Sequence, residues 1–198
     1  MEPRLIEGAD GRSRCWWCGD KDDYIAYHDD EWGRPVTDDR RLFEKMSLEG
    51  FQSGLSWLTI LRKREGFRRG FKDFDFVQVA RFNSRSVERL LKDASIVRHR
   101  GKIESVVNNA SRVEALVEEF GSLSDFFWGY RVDGDFVGLR ATSPESTAAA
   151  KELKRRGWTF VGPTTVYSLM QAMGVVNDHL PGCFVREACE KERRKLRR

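Results

Sequence analysis

Residues 143–174 read "SPESTAAAKELKRRGWTFVGPTTVYSLMQAMG", and the punctuation of this stretch decides the fold. Ser residues at its start can cap a helix, because a hydroxyl accepts from a backbone N–H that the helix leaves without a partner. Good helix formers follow. Lys154, Arg155 and Arg156 close the last turn, where the helix dipole favours cations, and Gly157 supplies the stop. Gly162 permits a tight turn. Pro163 then stands at a first helical position, where its missing N–H costs nothing, and Gly174 ends the second helix.

Working outward, the same signals recur. In "GKIESVVNNASRVEALVEEFG" (101–121) the residues Ile103, Val106, Val107, Ala110, Val113 and Val117 fall at steps of three and four, one apolar stripe that predicts a single helix ending at Gly121. "NSRSVERLLKD" (83–93) predicts a short helix capped by Asn83 or Ser84 and burying Val87, Leu90 and Leu91. "TDDRRLFEKMSLEG" (37–50) and "GLSWLTILRKREGF" (54–67) also read as helices. Alternation of strand type is confined to the short "GDFVGLR" (134–140). The expected class is all-α, in one domain spanning 14–187, with a polar extension at 1–13 and a basic tail at 188–198.

No run of eighteen apolar residues is present, so no membrane span is expected. The start, "MEPRLIEGADGRSR", lacks an apolar signal core, and a cytoplasmic location follows as the simplest expectation. In that compartment the four cysteines point to metal or free thiols before disulfides. The net charge of +4 points weakly to a polyanionic partner. The basic runs "ILRKREGFRRGFK", "VRHRGK", "KELKRRG" and "KERRKLRR" are spread along the chain, as solvated helix faces also are.

A metal question is posed by "VVNDHLPGC" (175–183), where His179 and Cys183 stand four apart across Pro181 and Gly182. Two ligands cannot close a four-coordinate shell. Candidates for the rest lie in "RCWWCGDKDDYIAYHDDEWG" (14–33), which holds Cys15, Cys18 and His28. That makes five soft or borderline ligands for four places. Spacing alone leaves other readings open: Cys15 and Cys18 could bind metal as a pair, or act in redox exchange. A site shared by both ends of the chain would close a long loop and so stabilise the fold. His99 lies in a basic stretch and is not counted.

"YIAYHDDEWGRP", "LFEKMSLEGFQSGLSWLTILRKRE", "ASIVRHRGKIESVVNNA", "KRRGWTFVGPTTVYSLMQAMGVVNDH" and the final "GC" together resemble the 3-methyladenine DNA glycosylase I family, in order and over residues 14–183. The resemblance implies an all-helical fold of the helix-hairpin-helix type, with a zinc-binding unit joining the two termini. Its single structural zinc ion would be held by Cys15, His28, His179 and Cys183, leaving Cys18 outside. The chain departs from the family where "KDDY" replaces the usual "DPLY" before Tyr24.

The implied substrate is double-stranded alkylated DNA, and the implied reaction is release of 3-methyladenine by hydrolysis of its N-glycosidic bond. Such an enzyme must take the base out of the stack. An N3-alkylated adenine in DNA is a cation, and that charge weakens the bond to the sugar, so recognition matters more than acid catalysis. A flat cation calls for aromatic faces and for a carboxylate to receive its N–H groups. By resemblance Glu49 is that carboxylate and acts as the catalytic residue, and Tyr24, Tyr27 and Trp57 line the pocket. The stretch 155–165 has the form of the family's DNA-holding turn. Gly157, Gly162 and Thr164 would present backbone N–H groups to a phosphate, with Lys154, Arg155 and Arg156 adding contacts that carry no sequence information. Gly54 and Leu55, in "QSGLSW", would fill the gap left by the flipped nucleotide. Asp178 is the only carboxylate after the turn. A role orienting its neighbour His179 fits it as well as one in catalysis, so no group is assigned to activate the attacking water. A monomer is expected. Two other classes are a zinc-stapled helical DNA-binding module without chemistry and a dithiol oxidoreductase using Cys15 and Cys18. The second lacks the strand–helix alternation of a thioredoxin-like fold.

Overall fold

The computed structural model describes residues 4–134 and 140–196. Among them, strands β1 (Leu5–Glu7) and β2 (Ser13–Cys15) precede helices α1 (Asp22–Asp30), α2 (Asp39–Gln52), α3 (Trp57–Gly70), α4 (Phe76–Val79), α5 (Ser84–Leu91) and α6 (Arg100–Ala110). Then come α7 (Val113–Phe120), α8 (Leu123–Trp128), α9 (Pro144–Arg155), α10 (Pro163–Ala172) and α11 (Arg186–Lys195). The protein is helical, as the sequence pattern predicts. Most of "GDFVGLR" (135–139) lies outside the described residues.

The stretch quoted first forms α9 and α10. Ser143 caps α9 by accepting from the Ser146 amide, and Ser146 bonds back to the Ser143 amide, a reciprocal cap that satisfies two end donors. Gly157 has φ +79° and stops the helix, where a Cβ would also strike the Arg112 guanidinium. The reason given for Gly162 needs correcting. Its φ is −69°, open to any residue, and the left-handed residue of the turn is Phe160, at φ +56°. Gly162 is the N-cap of α10, and a Cβ there would meet only Thr165, at 4.0 Å.

Helix α10 packs on α9 and on α2. Helix α2 is buried for most of its length, from Leu42 to Phe51, and this includes two charged residues, Lys45 and Glu49. Charges are almost never fully buried unless paired, so these two mark the helix out from the apolar core around it. On its other side, Phe51 leads into a column of rings, Phe67, Phe71 and Phe74, that anchors α2 against α3.

The single stripe over 101–121 is two helices, α6 and α7, with a break at Ser111 and Arg112. Local side-chain bonds compete there with the helical ladder: Ser111 Oγ and the Arg112 guanidinium both donate to the Asn108 carbonyl. The predicted start at Gly54 also moves, since α3 begins at Trp57 with Ser56 as its cap. "KDDY" forms the start of α1, with Asp22 and Asp23 in its first turn. The polar N-terminal stretch contains β1, which pairs antiparallel with β2. The basic C-terminal stretch folds into α11, whose buried Arg193 donates to the carbonyls of Gly174, Val175 and Val132.

Candidate functional site

The two ends of the chain meet at a cluster of four buried side chains. Ligating atoms of Cys15, His28, His179 and Cys183 all lie within 4.8 Å of one another. They come from three pieces of local structure: Cys15 from the end of β2, His28 from the last turn of α1, and His179 and Cys183 from the Pro-containing loop before α11. His179 and Cys183 lie in that loop, not on a helical turn. Cys183 Sγ is 3.5 Å from His28 Nε2 and 3.5 Å from His179 Nδ1, and Cys15 Sγ is 3.7 Å from His179 Nδ1.

The far side of each ring is occupied. His28 Nδ1 meets Asp29 at 2.7 Å, and His179 Nε2 meets the Trp32 carbonyl at 2.9 Å. Acceptors on those nitrogens fix the tautomers, so that His28 Nε2 and His179 Nδ1 turn their lone pairs on the thiols. Separations of 3.5–3.7 Å match the edge of a tetrahedron with bonds of about 2.2 Å. The residues therefore fit a four-coordinate metal ion. Cys18 is buried but turned away, its thiol on the Cys15 carbonyl at 3.1 Å. Asp178 does not orient His179. It accepts from Tyr167 Oη at 2.7 Å and from Gln171 Nε2 at 2.8 Å, and the ligand-orienting carboxylate is Asp29. Arg14 clamps Asp29 in turn, with Nη2 to Oδ2 at 2.8 Å.

Aromatic contacts carry the cluster into a cavity. Trp32 packs edge-on against His179, with centroids 4.6 Å apart, and Trp17 against both His28 and Trp32, at 5.1 and 4.9 Å. Trp17 and Trp32 then line a cavity of about 210 Å³ together with Tyr24, Tyr27, Glu49 and Trp57. The four side chains named from the sequence thus share one cavity. Tyr24 and Tyr27 lie near parallel at 6.4 Å, and Tyr27 meets Trp57 at 5.4 Å. The buried indole N–H of Trp57 has no acceptor among the described residues. Gln52, Ser168 and Gln171 supply further polar edges. Asp178, through its bond to Gln171, holds that amide in place.

Glu49 is 5% exposed, and its carboxylate meets Lys45 Nζ at 2.9 Å. Burial pushes the Glu49 carboxyl up and the Lys45 ammonium down, and each partner's charge opposes the other's shift. Burial also pushes the Tyr24 hydroxyl up to about 12 and that of Tyr27 well above its ordinary value, so both rings present neutral phenols. Lys45 was not apparent as a site residue in the sequence. The available signal was a Lys four residues before a Glu in an otherwise apolar helical stretch.

Beside the cavity, between Gln52 and Trp57, Gly54 stands at φ +82° and Leu55 is 41% exposed. This loop is held from behind by buried Lys102, which donates to the Phe51 carbonyl at 2.9 Å and to that of Ser53. The turn before α10 is held by the same helix, α6. Asn109 exchanges two bonds of 2.9 Å with the Thr159 backbone, and Asn108 donates to the Gly157 carbonyl at 2.9 Å. "NNA" gave no hint of this beyond its place in a helix. Thr164 is exposed in the first turn of α10. The nearby basic run is partly neutralised within the chain: Arg155 pairs with Glu152, and Arg156 with Glu119 and Glu152. Lys154 is exposed and has no ion pair among the described residues.

Fold and site define a helical protein with a buried carboxylate facing an aromatic cavity, built to grip a flat, polar-edged ligand. The chain belongs to the methyladenine glycosylase family, which matches residues 17–187. It is 47% identical over 178 residues to the DNA-3-methyladenine glycosylase 1 of Escherichia coli, covering 86% of this chain and 95% of that protein. It is 41% identical to the DNA-3-methyladenine glycosylase of Haemophilus influenzae, covering 86% and 96%. A solved variant of 3-methyladenine DNA glycosylase I in complex with 3-methyladenine superimposes with a TM-score of 0.81 at 33% identity, covering 87% of this chain and 97% of that one. No described helix is long and apolar enough to cross a membrane.

Proposed function

We propose that this protein is a monofunctional DNA glycosylase that flips 3-methyladenine out of alkylated duplex DNA and hydrolyses its N-glycosidic bond, leaving an abasic site. The observation that carries this reading is buried Glu49 facing a cavity walled by Tyr24, Tyr27 and Trp57. A carboxylate out of water in an aromatic box selects a flat cation with N–H edges and has no use in holding undamaged duplex. As the bond from the sugar to the base breaks, its electron pair stays with the base, which becomes neutral. The sugar takes the positive charge and is quenched by water. Glu49 and the aromatic faces hold the base in line for that departure.

Gly157, Gly162 and Thr164 form a helix-hairpin-helix turn that holds a backbone phosphate at the start of α10. Pro163 contributes no N–H to it. Leu55, beside Gly54 at φ +82°, enters the stack where the base has left. The metal is one zinc ion, held by Cys15, His28, His179 and Cys183, a thiolate–imidazole set with no open position. When bound it supplies no chemistry at the base and acts only as a staple. We place the protein in the cytoplasm, acting as a monomer.

The test is release of 3-methyladenine from methylated duplex DNA under single-turnover conditions. Glu49→Gln keeps the shape, removes the charge and turns one acceptor into a donor. A charge-assisted hydrogen bond contributes roughly 1.5–3 kcal/mol, so release should fall about tenfold to a hundredfold or more while binding to undamaged DNA barely changes. Wild-type release by a folded, metal-replete Glu49→Gln protein would remove this residue from the mechanism. No release by the wild type, with duplex binding intact, would favour the binding module instead.

A further inference from the structure

The three aromatic and acidic walls of the cavity share one support behind them. Lys45 Nζ lies 2.9 Å from Glu49 Oε1, donates to Tyr27 Oη at 2.6 Å, and sits 3.3 Å from the centroid of the Trp57 ring. Its side chain does not line the base cavity. It faces a separate small cavity of about 30 Å³ on the far side of Tyr27 and Trp57. Lys45 as a whole is 5% exposed. Its three N–H bonds are matched by three partners: a carboxylate, a phenol oxygen and a π face.

We propose that Lys45 is a positioning residue for base release, one that fixes Glu49, Tyr27 and Trp57 from behind in the arrangement that receives the base. Because Tyr27 Oη accepts from Lys45, its own proton is free to be donated elsewhere. Because Glu49 Oε1 is engaged, Oε2 remains for the ligand. Lys45 also balances the charge of Glu49 where both are buried. Bond cleavage relieves the pocket of a charge: the alkylated base enters as a cation and leaves neutral, so a fixed cation behind the wall favours departure over retention. In an unbalanced pocket, Glu49 would either hold the cation too well or take up a proton.

The proposal rests on Glu49 gripping the base, and its test separates the two. The variant is Lys45→Met, similar in length and uncharged. Base release is measured under single-turnover conditions from pH 5 to 9. Zinc content and thermal unfolding report the fold. Without its counter-charge Glu49 protonates more readily, since the other charges facing this site (Glu31, Arg41, Glu44, Arg64 and Arg68) stay in place. The expected result is a release rate at neutral pH lower by about tenfold or more, with the acid limb moved up by about one pH unit or more. The rate should change more than the concentration of damaged DNA giving half-saturation. A rate that falls equally at every pH would reduce Lys45 to packing and overturn the proposal, as would a wild-type rate and limb.

If Lys45→Met does not fold, the double variant Lys45→Met/Glu49→Gln decides. With neither charge left unpaired it should fold, and it should release base no more than about twofold slower than Glu49→Gln alone. Failure of the double variant to fold, or release clearly more than about twofold slower than by Glu49→Gln alone, would sink the role. A deficient Glu49→Gln beside a wild-type Lys45→Met removes only this proposal. A wild-type Glu49→Gln removes the reading beneath it.

Discussion

The Cys/His cluster and the Glu49 cavity are both buried and polar, and both draw on residues far apart in sequence, but they are completed differently. In the cluster, Asp29 and the Trp32 carbonyl take up both outward ring nitrogens, the four ligating atoms converge on one another, and Cys15 Sγ also accepts from the Leu180 amide. In the cavity, Glu49 is held from behind by Lys45 and opens in front onto empty space between aromatic faces. A closed polar cluster holds the fold. An open one holds a ligand, because its unmatched bonding capacity is an unfavourable burial until something enters.

The largest expected effect tests the closed side. His179→Ala or Cys15→Ser should lose the metal, shown by elemental analysis of protein purified without added metal, and should lower the unfolding temperature markedly. Removing one ligand from a structural zinc site removes folding free energy, of which binding can supply about 10 kcal/mol or more. Cys18→Ser should keep both metal and stability. Metal loss in Cys18→Ser with retention in Cys15→Ser would break the ligand assignment.

A middle-sized effect concerns the open side. Burial raises the Glu49 carboxyl, so on acidification it takes up its proton at a higher pH than an ordinary Glu. Base release by the wild type should therefore fall on an acid limb placed above about 4.3, the usual Glu value. The sign for folding is opposite: a carboxyl raised in the folded state binds its proton more readily there, so this group opposes folding less as pH falls. Thermal unfolding followed over the same pH range should show release declining before the fold does. A limb at the ordinary Glu value would mean that Glu49 is solvated in the working enzyme.

The smallest effect lies on the turn before α10, outside both clusters, where the proposed phosphate contact is made. Gly162→Glu is sterically open, since only Thr165 is near, at 4.0 Å. The carboxylate should weaken binding to damaged and undamaged duplex alike, by severalfold. Affinity of the wild type should fall steeply with salt through counterion release. A salt-independent affinity in a filter or fluorescence assay would show that the phosphate contact is misplaced.

The difference between the clusters also governs what sequence can reveal. The helices were legible because stripes, caps and stops are local: Ser143, Gly157, Pro163 and Gly174 mark α9 and α10 where they stand. The ligands and the pocket aromatics became legible through long motifs in register, since spacing alone left Cys18 as a rival to Cys15. Lys45, Asp29 and Asn109 stayed hidden because they act through a neighbour: a Lys four residues before a Glu, an Asp beside a His and an Asn in a helix all read as ordinary surface until the partner is placed. The break between α6 and α7 was equally invisible, since the apolar stripe runs through it and the competing bonds come from Ser111 and Arg112. Gly162 taught the converse: a glycine at a turn need not be its strained residue, a position that Phe160 holds.

The meeting of the two chain ends also sets an order in time. Cys15 and His28 are made first, and His179 and Cys183 follow only about 150 residues later. Translation proceeds at about 5–20 residues per second, so the first two ligands wait roughly 10 seconds or more for the others. Until then Trp32 has no His179 to pack against, and the wall it shares with Trp17 is incomplete. A nascent chain that stops short of His179 thus carries α9 and α10 but not a finished cavity wall, and it should not release bases.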